Sequence, residues 1–137
     1  MKKNSSSQPI KVAIAGLGFG ESVHLKATNA IEEIETISLW HPRIERLKES
    51  CETYNLYGHE KWESLLSDSS IEGIIIATPP GPRYKLAKQA LEAGKHLLLE
   101  KPVALNSAQI ADLQGIAINK RLSVAVDFEY RAVPLFM

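Results

Sequence analysis

Three glycines that follow a short apolar run near the start of the chain could form a nucleotide-binding turn. Residues 11–15 are rich in branched apolar side chains, and Gly16, Gly18 and Gly20 come directly after them, before a segment compatible with a helix. A tight glycine turn between a strand and a helix lets the backbone approach a pyrophosphate, because no Cβ stands in the way and the free N–H groups attract the anion. The ligand that this pattern predicts is a dinucleotide.

The glycine pattern departs from the usual dinucleotide fingerprint at its last position. Counting from Gly16, a third glycine is expected where the chain has Glu21. Either Gly20 provides the close contact between helix and strand one residue early, or the helix stands slightly off the strand. A carboxylate beside a phosphate site is unfavourable unless it points away to solvent. Taken alone, the glycines could also do no more than make a turn.

Length and composition narrow the class of protein. The chain has 137 residues, which is the size of one domain with a sizeable core. Its 16 basic and 16 acidic residues cancel, which argues against nucleic acid or a membrane surface as a partner and favours a small molecule. The single cysteine, Cys51, excludes an internal disulfide, and no apolar run is long enough to cross a bilayer. We therefore expect a cytoplasmic protein.

Strand-like and helix-like segments alternate along the chain. The patterns predict strands over residues 11–15, 34–40, 56–58, 71–77, 96–99 and 122–126, helices over 21–31, 43–53, 62–66, 84–93 and 107–119, and a loop over the proline-rich stretch 78–82. The predicted inward face of the first helix consists of Val23, Ala27, Ala30 and Ile31. Alternation with short connections implies right-handed crossovers and therefore a doubly wound parallel α/β sheet. Ligands bind beyond the carboxyl ends of the strands in such sheets.

Three short motifs resemble the glucose-fructose oxidoreductase, inositol dehydrogenase and MocA family. They are IIIATP at residues 74–79, ALEAGKH at 90–96 and EKP at 100–102. The resemblance covers nearly the whole chain from Ile10 onwards. It implies an NAD(P)-binding Rossmann domain over residues 10–127, and the polar composition of residues 1–9 predicts a disordered tail before it. Residues 128–137 are similar to the start of the linker to a C-terminal substrate domain, which this sequence does not contain.

The resemblance also implies an activity. It implies an NAD(P)-dependent oxidoreductase that transfers hydride between a nicotinamide cofactor and a sugar, polyol or related alcohol or carbonyl, with a homo-oligomer as a candidate state of the complete enzyme. This chain alone would lack a complete active site. Lys101 is the catalytic candidate, because its ammonium group could hold the substrate oxygen or relay a proton. The Lys101-Pro102 bond is a candidate for the cis form. The alternative is a truncated, non-catalytic nucleotide-binding module.

The end of the second strand bears on the choice of cofactor. An NAD site requires an acidic residue there for the ribose hydroxyls, whereas this chain has Trp40-His41-Pro42-Arg43. Arg43 and His41 could donate to a 2′-phosphate, so NADP is favoured and NAD is the alternative. The full set of predicted cofactor-binding residues is Gly16, Gly18, Phe19, Gly20, His41, Arg43, Thr78, Pro79, Glu100 and Lys101. We expect no metal site, because His59 and His96 lack ligand spacing with any cysteine or acidic residue.

Two segments need the structure for their interpretation. Relatives of this family commonly have Pro-Asn followed three residues later by His, whereas this chain has Pro79-Pro80 and then Arg83. The last residues include the apolar side chains Phe128, Val133, Leu135 and Phe136, which predict an uncovered surface that promotes association.

Overall fold

Six parallel strands form one sheet in the spatial order β3-β2-β1-β4-β5-β6, in a computed structural model that describes residues 8–132. The strands are β1 (Ile10–Ala15), β2 (Ile34–Trp40), β3 (Tyr57–His59), β4 (Gly73–Ile76), β5 (His96–Leu99) and β6 (Val124–Val126). The helices are α1 (Lys26–Asn29), α2 (Ile44–Tyr54), α3 (Trp62–Ser67), α4 (Pro80–Glu92) and α5 (Ser107–Lys120). This order confirms the predicted doubly wound α/β sheet.

Helices cover both faces of the sheet because side chains along a strand alternate in direction. Ala13 and Ala15 of β1 belong to a core cluster that includes side chains of α4 and α5. Val12 and Ile14 belong to a second cluster, whose members include Leu25 and Leu47. Every residue of the central strand β4 is buried, as expected for a parallel strand covered on both faces.

The strands end together along one edge of the sheet. Ala15 at the end of β1 is in register with Trp40 of β2 and Ile76 of β4, and Ile76 is in register with Leu99 of β5. The loops that follow these four strands therefore start side by side. The predicted strands 71–77 and 122–126 are shorter in the structure than in the prediction, and β3 begins one residue later.

The first helix differs from the prediction in its winding and in its buried face. It begins with a π-helical turn, Gly20–Leu25, that continues into α1. The predicted inward residues Val23, Ala27, Ala30 and Ile31 are all exposed, and the buried ones are Gly20, His24, Leu25 and Thr28. The buried polar side chains have partners, since His24 contacts Glu100 and the Thr28 hydroxyl lies 2.7 Å from that of Thr36. Hydrophobic spacing alone therefore selected the wrong face.

The predicted proline-rich loop 78–82 is also only partly correct, because α4 begins at Pro80. The first N–H groups of a helix have no intrahelical acceptor, so prolines in the first turn lose no hydrogen bond. Pro80 and Pro82 both lie in that turn.

The ends of the chain are only partly described. The predicted tail 1–9 lies outside the described residues except for Gln8 and Pro9, and so do Val133, Leu135 and Phe136 of the predicted apolar end. Phe128 is half exposed and precedes a 3-10 turn, Glu129–Ala132. The assignment of 128–137 as a linker therefore stays a prediction.

A methyl group at Gly20 should disturb the contact between the first helix and β1. A Cβ there would lie 2.8 Å from Cγ2 of Ile14, a fully buried side chain that cannot move aside. We expect Gly20→Ala to lower the free energy of unfolding by about 1–3 kcal/mol in urea titrations. The matched control is Gly115→Ala in α5, where a Cβ would have no atom within 4 Å. This control should raise the free energy of unfolding by up to about 1 kcal/mol, because alanine has the higher helix propensity. Equal stability of the Gly20 variant and the wild type would refute this packing argument.

Candidate functional site

The glycine turn packs directly against the end of β4. Gly16 has a φ of 95°, and a Cβ there would lie 2.7 Å from the backbone of Ala77 and Thr78, so only glycine fits. Gly16 also donates its N–H to the carbonyl of Trp40 at 3.0 Å. A Cβ at Gly18 would instead point into open space. The turn therefore packs against the sheet at Gly16, and its opposite side, at Gly18, is open.

Gly20 supplies the close contact that the fingerprint assigns to the next residue. It faces Ile14 and Ala77 across the helix–sheet interface. In the wider π turn, residues four or five apart share a face, so Gly20 lies on the same side as His24 and Leu25. The first of the two alternatives for the glycine pattern is therefore correct.

A cleft of about 400 Å³ opens beside the turn at the carboxyl ends of β1, β2 and β4. It is lined by Gly16, Trp40, His41, Pro42, Arg43, Thr78, Pro79, Pro82 and Leu86. Its walls are mostly apolar, as in sites for organic ligands. The buried hydroxyl of Thr78 has no hydrogen-bond partner within residues 8–132, so a polar ligand atom could satisfy it.

His41 and Arg43 lie at the rim of this cleft with different charge states. Burial lowers the pKa of His41, so its imidazole is neutral at pH 7. Its Nδ1 accepts the backbone N–H of Arg43 at 3.1 Å, which leaves the proton on Nε2. The guanidinium group of Arg43 has no hydrogen bond or ion pair with the described part of the chain. Arg43 is therefore the cation that this rim offers to a ligand.

Arg83 ties the loop after β4 to the loop after β5. Its buried guanidinium group donates to the carbonyl oxygen of Glu100 at 2.8 Å and also to those of Thr78 and Pro102. The position at which relatives commonly carry a histidine thus has a structural role in this chain. In the sequence Arg83 is only a basic residue near the start of a helix with an apolar face. That pattern does not indicate which carbonyl groups its side chain contacts.

Lys101 lies in the loop that Arg83 holds, and its bond to Pro102 is cis, as predicted. Its ammonium group is paired with Glu129 and lies 5.4 Å from the centre of the Tyr130 ring. The hydrogen bond with Glu129 raises the pKa of Lys101, so the group is a cation at neutral pH. It is partly exposed and therefore accessible to a molecule bound at this edge.

His24, Glu100 and Asp127 form a polar cluster under the glycine turn. His24 Nε2 lies 2.7 Å from a carboxylate oxygen of Glu100 and 3.8 Å from one of Asp127. Burial and the hydrogen bond with Glu100 raise the pKa of Asp127. The other carboxylate oxygen of Glu100 accepts the backbone N–H of Lys101 at 3.2 Å. The cluster therefore connects the first helix, the Lys101 loop and the end of β6.

The same three side chains bear on the expectation that there is no metal site. Their ligand-type atoms lie within 4.8 Å of one another, which is a separation that an ion could bridge. The direct 2.7 Å contact between His24 and Glu100 is a hydrogen bond and needs no ion between the two groups. The expectation of no metal remains a prediction.

The structure brings most of the predicted residues to one edge of the sheet, in two groups. Gly16, His41, Arg43, Thr78 and Pro79 line the cleft. Glu100 and Lys101 lie on the other side of the turn, where Phe19 packs its ring edge-on to His24, with centroids 5.3 Å apart. Sequence reasoning did not single out Arg46 or Asp127 and noted Arg83 only as a departure from the family; each of the three has a partner at least 17 positions away.

These features define a dinucleotide-binding α/β domain, and comparison with known proteins agrees. Residues 10–128 match the GFO_IDH_MocA oxidoreductase family with an NAD-binding Rossmann fold. The chain therefore belongs to this family of oxidoreductases, as the motifs predicted. No helix among residues 8–132 is long and apolar enough to span a membrane.

Individual relatives match over nearly the whole chain. An uncharacterized oxidoreductase of Synechocystis sp. is 35% identical over 95% of this chain, and the scyllo-inositol 2-dehydrogenase (NADP(+)) of Bacillus subtilis is 28% identical over 92%. The 3-ketoreductase KijD10 of Actinomadura kijaniata, solved with NADP and TDP-benzene, superposes with a TM-score of 0.88 at 25% identity, over 93% of this chain and 39% of its own. The chain spans about 35% of the length of the two curated relatives.

Removal of the Arg83 guanidinium group should loosen both loops. Arg83→Met leaves three carbonyl groups without their donor, so we expect a loss of about 2–5 kcal/mol in the free energy of unfolding. Urea titration measures this loss. Lys85→Met, an exposed change in the same helix, should alter stability by less than about 0.5 kcal/mol. If both variants behave alike, Arg83 does not hold the loops.

Proposed function

We propose that this chain is the NADP-binding part of an oxidoreductase that interconverts an alcohol and a carbonyl on a sugar, polyol or related substrate. When bound, the nicotinamide of the cofactor would supply or accept the hydride. The backbone at Gly18 would lie against the pyrophosphate, since nothing fills the space in front of it. The cleft lined by Trp40, Thr78 and Pro79 would hold the adenosine part.

The preference for NADP is carried by the rim of the cleft. Among the residues that line it, within the described part of the chain, none has a carboxylate that would repel a 2′-phosphate. The guanidinium group of Arg43 is available to pair with that phosphate, and neutral His41 adds an N–H donor at Nε2. Glu45 and Glu49 line an adjoining pocket with Arg43 and Arg46, so the acidic groups lie beyond the rim.

Relatives support the same cofactor and substrate class. The inositol dehydrogenase of Bacillus subtilis is named for NADP(+) and for a polyol, and KijD10 was solved with NADP. The biliverdin reductase of Synechocystis sp., 28% identical with a TM-score of 0.81 over 87% of this chain and 38% of its own, was also solved with NADP+. That enzyme is named for biliverdin, so the substrate class is inferred from the inositol dehydrogenase and from the D-glucoside 3-dehydrogenase of Escherichia coli, which is 26% identical over 96% of this chain and 38% of its own.

Lys101 would act on the substrate. Its ammonium group is charged, partly exposed and held in a loop that Arg83 and Glu100 fix from below. Such a group can bind the substrate oxygen and donate a proton to it as a carbonyl becomes an alcohol, and in the reverse direction the neutral amine would take the proton back. In this structure the ammonium group is paired with Glu129. The substrate oxygen would either replace that carboxylate or bind to another of the three N–H donors of Lys101.

Arg43 should decide which cofactor binds. We expect the chain to bind NADPH more tightly than NADH in titrations followed by tryptophan fluorescence, because Trp40 lines the cleft. Arg43→Ala should weaken NADPH binding by about 1.5–3 kcal/mol, or roughly ten- to 150-fold, through loss of a charge-assisted bond. NADH binding should change little.

The control is Lys48→Ala, which removes a cation from α2, the helix that directly follows Arg43, at a side chain whose ammonium pairs with Glu60. It should leave both affinities within about twofold. Equal affinity for the two cofactors, or equal loss of both in the Arg43 variant, would contradict the NADP assignment. Absence of binding by either cofactor would contradict the proposed cofactor site itself.

A further inference from the structure

Glu21 occupies the position at which the dinucleotide fingerprint has its third glycine, and its carboxylate does not point to solvent. Oε2 of Glu21 accepts hydrogen bonds from the Arg46 guanidinium group and from the Ser50 hydroxyl, the latter at 3.0 Å. The hydrogen bond with Glu21 also raises the pKa of the Tyr54 hydroxyl. Three residues of α2 thus surround one carboxylate of the glycine turn.

Arg46 also contacts the turn itself. The nitrogen Nη2 that pairs with Glu21 donates to the carbonyl oxygen of Leu17 at 3.2 Å. The other nitrogen, Nη1, donates to Ser50 at 3.0 Å and to Glu49 at 3.3 Å. Both terminal nitrogens are therefore engaged, in contrast to those of Arg43, which have no such partner in the described residues.

We infer that Arg46 neutralises the carboxylate at the position of the missing glycine and so keeps the turn able to bind the pyrophosphate. The inference rests on the proposed cofactor site. Arg46 neutralises a carboxylate that would otherwise repel the phosphates, and its bond to Leu17 ties the turn to α2. The side chains of the pair are only partly exposed, so water screens the unpaired carboxylate incompletely. Arg46 is a positioning residue, whereas Arg43 would contact the cofactor directly.

Two expected results distinguish neutralisation of Glu21 by Arg46 from direct binding of a 2′-phosphate by Arg46. The pyrophosphate is common to NADPH and NADH, so loss of Arg46 should weaken both cofactors equally. The loss of affinity should come from the unpaired carboxylate of Glu21, so replacing that carboxylate with a neutral amide should restore cofactor binding. Neither effect is expected if Arg46 contacts the 2′-phosphate or if its loss merely unfolds the turn.

The test measures NADPH and NADH affinities of Arg46→Ala, Glu21→Gln and the double variant, with Lys48→Ala as the control on the same helix. We expect Arg46→Ala to lose roughly tenfold or more for both cofactors, with a smaller loss at about 0.5 M salt than at about 0.05 M. The double variant should return to within about threefold of the wild type, and Glu21→Gln should bind at least as tightly as the wild type. Thermal unfolding of each variant checks that it remains folded. If the alanine variant does not fold, Arg46→Met with Glu21→Gln tests the same neutral pair.

Each other outcome overturns the inference. A loss confined to NADPH would make Arg46 a ligand of the 2′-phosphate. A loss that Glu21→Gln does not reverse, or that does not depend on salt, would make the pair purely structural. Unchanged binding of both cofactors by Arg46→Ala would show that Arg46 does not support the cofactor site, and the proposed function would still stand. Failure of the wild-type chain to bind either cofactor would overturn both.

Discussion

The close approach of Gly16 to the end of β4 is the constraint on which the site depends. There is no room for a Cβ between Gly16 and the backbone of Ala77 and Thr78, so the chain leaves β1 along a single path. That path exposes Gly18, turns Gly20 inward against Ile14 and opens the cleft on the side of Trp40. The position of the candidate site therefore follows from backbone packing before any polar contact is made.

Polar contacts then fix the loops around this turn, and each of them joins distant parts of the chain. Arg46 holds the turn from α2, Arg83 holds the loops after β4 and β5 together, and His24 connects the first helix to Glu100. In each case a side chain satisfies groups that would be costly to leave unpaired in a partly buried position. These contacts leave Arg43 and Lys101 at two sides of the turn, one beside the cleft and one in the loop after β5.

Local patterns were sufficient to predict the fold, since strand runs, glycine turns and short connections leave few other topologies. Local patterns failed to predict which polar residues are buried, because such a residue is buried only where a distant part of the chain provides its hydrogen-bond partner. His24 and Thr28 face inward for that reason, and the sequence pattern had assigned the inward face to Val23 and Ala27. The glycines, His41, Arg43 and Lys101 could be selected from spacing and resemblance. The roles of Arg46, Arg83 and Asp127 could not, because each depends on a contact with a residue 17 to 103 positions away.

The most direct test of the account is a two-dimensional NMR titration of the 15N-labelled chain with NADP+. We expect the largest amide shifts at Gly16, Gly18 and Thr78, with smaller shifts around Arg43, because Gly16, Thr78 and Arg43 line the cleft and Gly18 faces open space in the same turn. Glycine and arginine variants can assign these signals. Unchanged signals of the glycine turn, with shifts confined to residues of α5 and β6, would contradict the claim that the cofactor binds at this edge of the sheet.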